Sequence, residues 1–277
     1  MPSTILRTVQ IRGHTITVRT TPGPAGTARS RSPYVLVHGL GMTHRYLDRL
    51  RAELAGDADV HSVDLPGYGR DPRPRTRLGI EDHAALIVET LELLGVTPCI
   101  LVGHSMGVQF VTAAGLRAPA SVRGVVLMGP VVDRRRRTVL QQAASLGHDT
   151  LRESAGANLM VFADYLRTGL RWYVRQLVPM LEYPLERAVE RLECPVLVLR
   201  GSRDPVARRR WCHELADRAQ DGAFVEIDGE PHVVQHSAAD RVAAEIVAFV
   251  RPPLPVAEPI LPEASGGSMG KLEDRSA

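Results

Sequence analysis

The chain repeats one pattern that few folds can use: brief, mostly apolar runs, each separated from the next by a longer stretch of helical periodicity. The runs are residues 34–37, 60–63, 99–102, 125–128 and 195–199, with 224–227 as a last member. A strand that meets solvent on one face alternates polar and apolar residues, whereas a strand covered on both faces need not. The intervening stretches at 46–54, 80–94, 106–116, 207–219 and 238–250 carry apolar residues at helical spacing. Strand and helix in alternation predict an α/β fold with a doubly wound, mostly parallel sheet. Two alternating segments at the start, 4–11 and 14–20, are punctuated by Gly13 and predict a hairpin.

One interval breaks the alternation. Residues 133–193 show helical periodicity and no convincing strand, most clearly at 151–157, 159–166 and 170–181, with Gly147, Gly169 and Pro184 as breaks. A helical insertion between two strands of a parallel sheet reads as a cap over the carboxyl edge, where open α/β sheets place their ligands. The expected organisation is a core domain of residues 1–132 and 194–250 with a helical cap at 133–193. Residues 251–277 are rich in Pro, Gly, Ser and charge without periodicity, and are expected to form a disordered tail.

Composition narrows the function classes. With 44% hydrophobic and 23% charged residues the chain has the balance of a soluble globular protein. No apolar run approaches the roughly 20 residues that span a bilayer, and residues 1–13 lack the apolar core of a secretory signal. A cytoplasmic protein with no membrane partner is expected. The basic residues are almost all arginine, the one lysine being Lys271. Schiff-base chemistry and a P-loop phosphate site both need a lysine, and the part expected to fold offers none. Such arginine usage, with abundant Ala, Gly and Pro, also points to a high-GC bacterial genome. A net charge of +3 is too small to argue for nucleic acid, and aromatics at 4% leave few stacking platforms, so no nucleic-acid partner is expected. Cys99, Cys194 and Cys212 form no CxxC pair and no metal-ligand spacing. Cys99 and Cys194 stand at the entrances to apolar runs and read as buried structural thiols.

The segment Gly103-His104-Ser105-Met106-Gly107 joins the apolar run 99–102 directly to a helical pattern. This is the strand–turn–helix setting of a nucleophile elbow. A serine on so tight a turn needs small residues two positions to either side, and it sits at a helix N-terminus, whose free N–H groups favour developing negative charge. A serine hydroxyl is a poor nucleophile until a base is positioned beside it. The partners should follow in the order acid, then histidine, each just after a later strand. Gly201-Ser202-Arg203-Asp204-Pro205 follows one run and Glu230-Pro231-His232-Val233 follows the next. Ser105, Asp204 and His232 are therefore the expected nucleophile, acid and base. His38-Gly39-Leu40-Gly41 closes the run 34–37, and the backbone N–H groups of Leu40 and Met106 are the expected oxyanion donors. His38 and Met42 of that loop, with Phe162 and Trp172 of the cap, are the candidate pocket residues.

With these motifs in place, the chain resembles the α/β-hydrolase superfamily over about residues 4–250. The run Asp64-Leu65-Pro66-Gly67-Tyr68-Gly69-Arg70 adds to the likeness. The resemblance implies an eight-stranded, mostly parallel sheet with the second strand antiparallel and the helical insertion as a lid. It is closest to capped serine esterases, non-haem haloperoxidases and carbon–carbon-bond hydrolases. Haloalkane dehalogenases and epoxide hydrolases of the superfamily use an aspartate where this chain has Ser105. Carbon–carbon-bond hydrolases usually carry a longer Gly-rich oxyanion loop and a Trp after the histidine, where this chain has Val233.

Rival readings attach to several residues. Asp133 follows the run 125–128, where a minority of the family places the acid. The runs Arg134–Arg137 and Arg208–Arg210 suit either a solvated helix face or an acidic carrier protein. His232 and His236 have the spacing of a zinc pair but lack its glutamate, so no metal is expected, and no other cofactor. The expected function is a serine hydrolase that forms an acyl-enzyme with a small or medium apolar ester, thioester or related acyl compound. The alternative is a non-hydrolytic member of the fold: a small-ligand sensor, or a lyase or cyclase of secondary metabolism.

Overall fold

The computed structural model describes residues 4–25, 31–68, 72–138 and 170–250. Its eight strands are β1 (Ile5–Ile11), β2 (His14–Thr21), β3 (Tyr34–Val37), β4 (Val60–Asp64), β5 (Cys99–His104), β6 (Val122–Met128), β7 (Val196–Gly201) and β8 (Gly222–Ile227). They form one sheet in the order β1-β2-β4-β3-β5-β6-β7-β8. β2 runs antiparallel to both β1 and β4, and every other pairing is parallel. The α/β class, the mostly parallel eight-stranded sheet and the antiparallel second strand are as expected.

Residue parity sorts the core into two layers, as a pleated strand requires. Val35, Val37 and Leu101 face a cluster that includes Ile87, Val111 and Leu215. Tyr34, Leu36, Ile100 and Val102 face the opposite cluster, which includes Leu50, Leu54, Val242 and Ile246. The helices divide accordingly. α2 (Ile80–Leu94) and α3 (Gly107–Arg117) cover the first face, with α5 (Leu185–Val189) and α6 (Arg209–Arg218) beside them. α1 (Asp48–Leu54), α7 (Val234–Ser237) and α8 (Ala239–Val250) cover the second. Each large apolar side chain so buried contributes about 1.5–3 kcal/mol.

Local chemistry sets the helix ends. The Asp82 carboxylate accepts the Gly79 N–H at 2.8 Å at the start of α2, and Gly95, at φ 66°, closes that helix in the left-handed conformation. The single helix expected at 46–54 is split into a 3-10 turn, His44–Leu47, followed by α1. The helix expected from residue 207 begins only at Arg209, because Arg208 is extended, at φ −66° and ψ 142°.

Of the insertion expected at 133–193, the structure describes its two ends. α4 (Leu170–Glu182) fits the helical stretch expected at 170–181, with Pro179 inside it, and α5 is a short helix that the periodicity did not reveal. Leu185, Val189 and Leu192 pack in the same cluster as α3, so this end of the insertion shares the core of the sheet. The pieces expected at 151–157 and 159–166, and the tail at 251–277, lie outside the described residues.

β3 has β4 on one side and β5 on the other, so the chain winds outward in both directions from it. The crevice beyond the carboxyl ends of β3 and β5 is thus the topological switch point of the sheet, where such folds bind ligands.

Candidate active site

The loops at that crevice carry the elbow. Ser105 has φ 56°, and a non-glycine residue held there costs on the order of 1–3 kcal/mol. It is partly exposed while its neighbours in the turn are buried. Its N–H donates to the Met128 carbonyl at 2.9 Å, and its carbonyl accepts from Val108 at 3.1 Å. The flanking glycines have the steric role expected of them. A Cβ at Gly103 would lie 2.5 Å from the Gly107 carbonyl oxygen, and one at Gly107 would lie 2.5 Å from that of Val37.

Asp204 follows β7, with its side chain wholly buried. Oδ1 accepts the N–H groups of Val206 at 2.7 Å and Ala207 at 2.9 Å, while Oδ2 meets His232 Nδ1 at 2.8 Å. Burial alone would raise its pKa. The charge and hydrogen bond of His232, with the two backbone donors, outweigh burial and hold the carboxyl below its ordinary value. The buried Arg200 guanidinium braces the turn from behind, donating to the carbonyls of Asp204 (2.8 Å) and Ala207 (2.6 Å). A Cβ at Gly201 would lie 2.2 Å from the Glu230 carbonyl oxygen, so only glycine lets the acid turn and the histidine loop touch.

His232 lies between β8 and α7 and is buried. Because the Asp204 carboxylate accepts a hydrogen bond from Nδ1–H, the basic lone pair is on Nε2. Gly129, at φ 55°, makes room for the ring, since a Cβ there would lie 2.9 Å from Cε1.

Opposite the elbow, the loop after β3 comes so close that a Cβ at Gly39 would lie 3.0 Å from the Ser105 Cβ. No described backbone carbonyl accepts the N–H of Leu40 or of Met106. The peptide between Gly39 and Leu40 is held by its carbonyl, which accepts from His38 Nδ1 at 2.9 Å and from Met42 N at 3.2 Å. His38 is wholly buried, and its Nε2 accepts the Leu65 N–H at 3.2 Å. Its ring therefore pins the loop from below and is no open pocket wall. Met42 is also buried and packs into the cluster on the opposite face of the sheet from Leu40. Of the two cap candidates, Phe162 lies outside the described residues and Trp172 falls in α4, its side chain outside them.

The remaining candidates are placed elsewhere. The Asp133 carboxylate accepts the Arg135 N–H at 2.9 Å within its own turn, whereas the partner of His232 Nδ1 is Asp204. Arg134 pairs with Glu214 at 2.6 Å and Arg137 with Glu186 at 2.6 Å. Among the described residues, no group of three or more His, Cys, Asp or Glu is placed to hold a metal ion, and no helix is long and apolar enough to cross a membrane. Sequence reasoning missed two residues that shape the site, Arg200 and Gly129. Gly129 is the one with a visible signal, a glycine directly after an apolar run.

Comparison with known proteins agrees with the architecture. The sequence pattern of the alpha/beta hydrolase family matches residues 34–245. The (E)-2-((N-methylformamido)methylene)succinate hydrolase of Acinetobacter baylyi is 23% identical over 236 residues, covering 79% of this chain and 90% of that protein. The enol-lactonase of Burkholderia xenovorans LB400 superposes with a TM-score of 0.74 at 18% identity, over 88% of this chain and 99% of that one. An esterase of Rhodococcus sp. ECU1013 does so with a TM-score of 0.69 at 22% identity, over 88% and 98%. At such identities these two structures speak for the fold alone.

Proposed function

The chain belongs to the alpha/beta hydrolase family, and from that premise we propose that it is a serine hydrolase acting through an acyl-enzyme on Ser105. His232 Nε2 takes the Ser105 hydroxyl proton as Oγ attacks the substrate carbonyl, and Asp204 stabilises the imidazolium. The tetrahedral oxyanion is received by the N–H groups of Leu40 and Met106, each worth about 2.7–4 kcal/mol in such sites. Collapse breaks the bond to the leaving group, which takes the proton back from His232. Water, deprotonated by the same nitrogen, then attacks the acyl-serine and releases the acid. The observation that carries this reading is the buried Asp204 carboxyl 2.8 Å from Nδ1 of His232, at the sheet edge that also bears Ser105, held at φ 56°.

The relatives include hydrolases of an enol-lactone and of an amidomethylene succinate, by their names. We place this chain with them as a carboxylesterase-like enzyme for small or medium acyl compounds, residues 133–193 acting as the cap. A cap of that size keeps out proteins and lipid interfaces, and each methylene that fits is worth about 1–3 kcal/mol, so selectivity for acyl length is graded. The test is turnover of p-nitrophenyl esters of graded chain length. The expected result is highest activity on short chains, a smooth fall with length, and no activation at a lipid interface. A preference for acyl chains beyond about twelve carbons, or interfacial activation, would contradict the cap's role. No turnover of any ester by a protein whose Ser105 reacts with an active-site probe would favour the sensor or lyase alternative.

A further inference from the structure

Two loops must be set relative to each other for the proposed chemistry: the one whose Leu40 N–H receives the oxyanion and the one that carries His232. A line of buried hydrogen bonds joins them. The Gly39 N–H donates to the Tyr46 hydroxyl oxygen at 2.6 Å. The Tyr46 hydroxyl lies 3.1 Å from His104 Nδ1. His104 Nε2 lies 3.0 Å from the backbone carbonyl oxygen of His232. Tyr46, His104 and His232 are all buried, at 1%, 2% and 4% exposure.

The direction of every bond follows from chemistry. A carbonyl oxygen only accepts, so His104 carries its proton on Nε2. Burial, with His232 nearby, lowers the His104 pKa to about 3, so the ring is neutral and Nδ1 has a lone pair. Nδ1 then accepts from the Tyr46 O–H, and the Tyr46 oxygen accepts from Gly39. With the His232 carbonyl fixed as an acceptor, the order of these three bonds cannot be reversed. The rings reinforce it, with Tyr46 edge-on to His104 at 5.3 Å and His104 tilted against His232 at 4.8 Å.

At the oxyanion end the consequence is geometric. Tyr46 holds the peptide before Gly39 by its N–H, while His38 and Met42 hold the peptide after Gly39 by its carbonyl. In a trans peptide the N–H points opposite to the C=O, so fixing the Gly39 carbonyl aims the Leu40 N–H away from it. At the other end, His104 grips the very residue that supplies the base. His104 is also next to Ser105 in the chain, so one side chain on the elbow touches both flanks of the site.

We propose that Tyr46 and His104 are positioning residues that form a single strut, setting the Leu40 N–H and the His232 ring at fixed places around the carbonyl attacked by Ser105. The proposal rests on the acyl-transfer reading above. Neither side chain touches substrate. Their contribution is the placement of groups that do, and misplacement by about 1 Å can cost a factor of about 10².

The test uses the full chain with Tyr46→Phe, His104→Gln and the double variant. Steady-state ester hydrolysis is measured beside the affinity for a trifluoromethyl ketone, which adds to the serine and leaves an oxyanion in the hole. Tyr46→Phe keeps the ring and loses the hydroxyl. It should lower kcat by about 10- to 100-fold, less than outright loss of an oxyanion donor, with KM little changed. Affinity for the ketone should fall in parallel with kcat. The double variant should be no worse than the poorer single one, because a strut is broken once. Unchanged kcat in Tyr46→Phe would overturn the proposal, as would effects that multiply in the double variant. A lower thermal midpoint with kcat and ketone affinity intact would show a packing role only, and would likewise overturn it. Ester hydrolysis that survives Ser105→Ala would instead sink the acyl-transfer reading.

Discussion

Asp64, at the end of β4, and Asp204, just past β7, each lie with a carboxylate oxygen 2.8 Å from Nδ1 of a histidine, His44 and His232 respectively. Both carboxyls are buried and both are held below their ordinary pKa. Their other partners separate them. Asp64 also accepts the His44 backbone N–H at 2.7 Å and pairs with the Arg19 guanidinium at 2.7 Å. Its charge is already answered by a permanent cation, and its histidine sits at the start of the 3-10 turn that follows the loop after β3. Among the described residues, Asp204 has only neutral backbone donors besides His232, and the nearby Arg200 contacts the carbonyls of the turn and not the carboxylate. An aspartate with its own cation gains little from a transient imidazolium, whereas one without gains much. The first pair anchors a loop. The second is suited to hold a base.

The largest expected effect breaks the comparison directly. Asp204→Asn should leave the fold intact and lower turnover by about 10⁴-fold, the loss seen when the wrong histidine tautomer is installed in a serine protease. Asp64→Asn should act mainly on stability, by about 1–3 kcal/mol, because buried donors lose an ionised acceptor. Turnover and urea midpoints of both variants check this, and a greater loss of turnover in Asp64→Asn would exchange their roles.

Acid provides a second, smaller test. Burial lowers His61 to about 4 and His83 and His104 to about 3, with neighbouring charges adjusting each. As pH falls below about 6.5 the unfolded chain takes up protons on all three while the folded chain does not, so stability is full above that value and falls below it. The expected loss approaches about 1.4 kcal/mol per histidine per pH unit between about 6.5 and 4. The two aspartates add to the decline only at lower pH, since their depressed values make their contribution present above the ordinary carboxylate pKa and lost as pH falls through the folded one. A urea midpoint that is equal at pH 7.5 and 5.5 would contradict this. The smallest effect belongs to Asp133→Asn, which should leave turnover unchanged and stability within about 0.5 kcal/mol. A large loss of turnover would move the acid there.

Much of this architecture is legible in the sequence because short-range rules carry it. β3 and the opening residues of β5 and β7 are apolar throughout, so these strands stand out, whereas the equally buried β4 carries His61, Ser62 and Asp64. The glycines of the elbow are legible from their spacing around Ser105, although what forces Gly107 is the approach of Val37 and His38 from a distant segment. The order Ser105, Asp204, His232 is legible because each follows a strand. What the sequence hides is set by contacts between distant segments. Nothing near Tyr46 or His104 signals that they meet across 58 positions, or that His104 meets the His232 carbonyl across 128. The burial of His38 is hidden likewise, since it depends on the Leu65 N–H from the next strand's end. Chain order sets Asp204 apart from Asp64, which precedes Ser105, but the ion pair of Asp64 with Arg19 on the antiparallel β2 is not visible in the sequence.

The central claim is that Ser105 is a nucleophile activated by the Asp204–His232 pair. Reaction with a fluorophosphonate probe, followed by mass analysis of the labelled peptide, tests it most directly. One probe per chain is expected, on the peptide that contains Ser105, with no label taken up by Ser105→Ala and much slower uptake by Asp204→Asn than by Asp64→Asn. Undiminished labelling of Ser105→Ala, or a label on another peptide, would contradict the account.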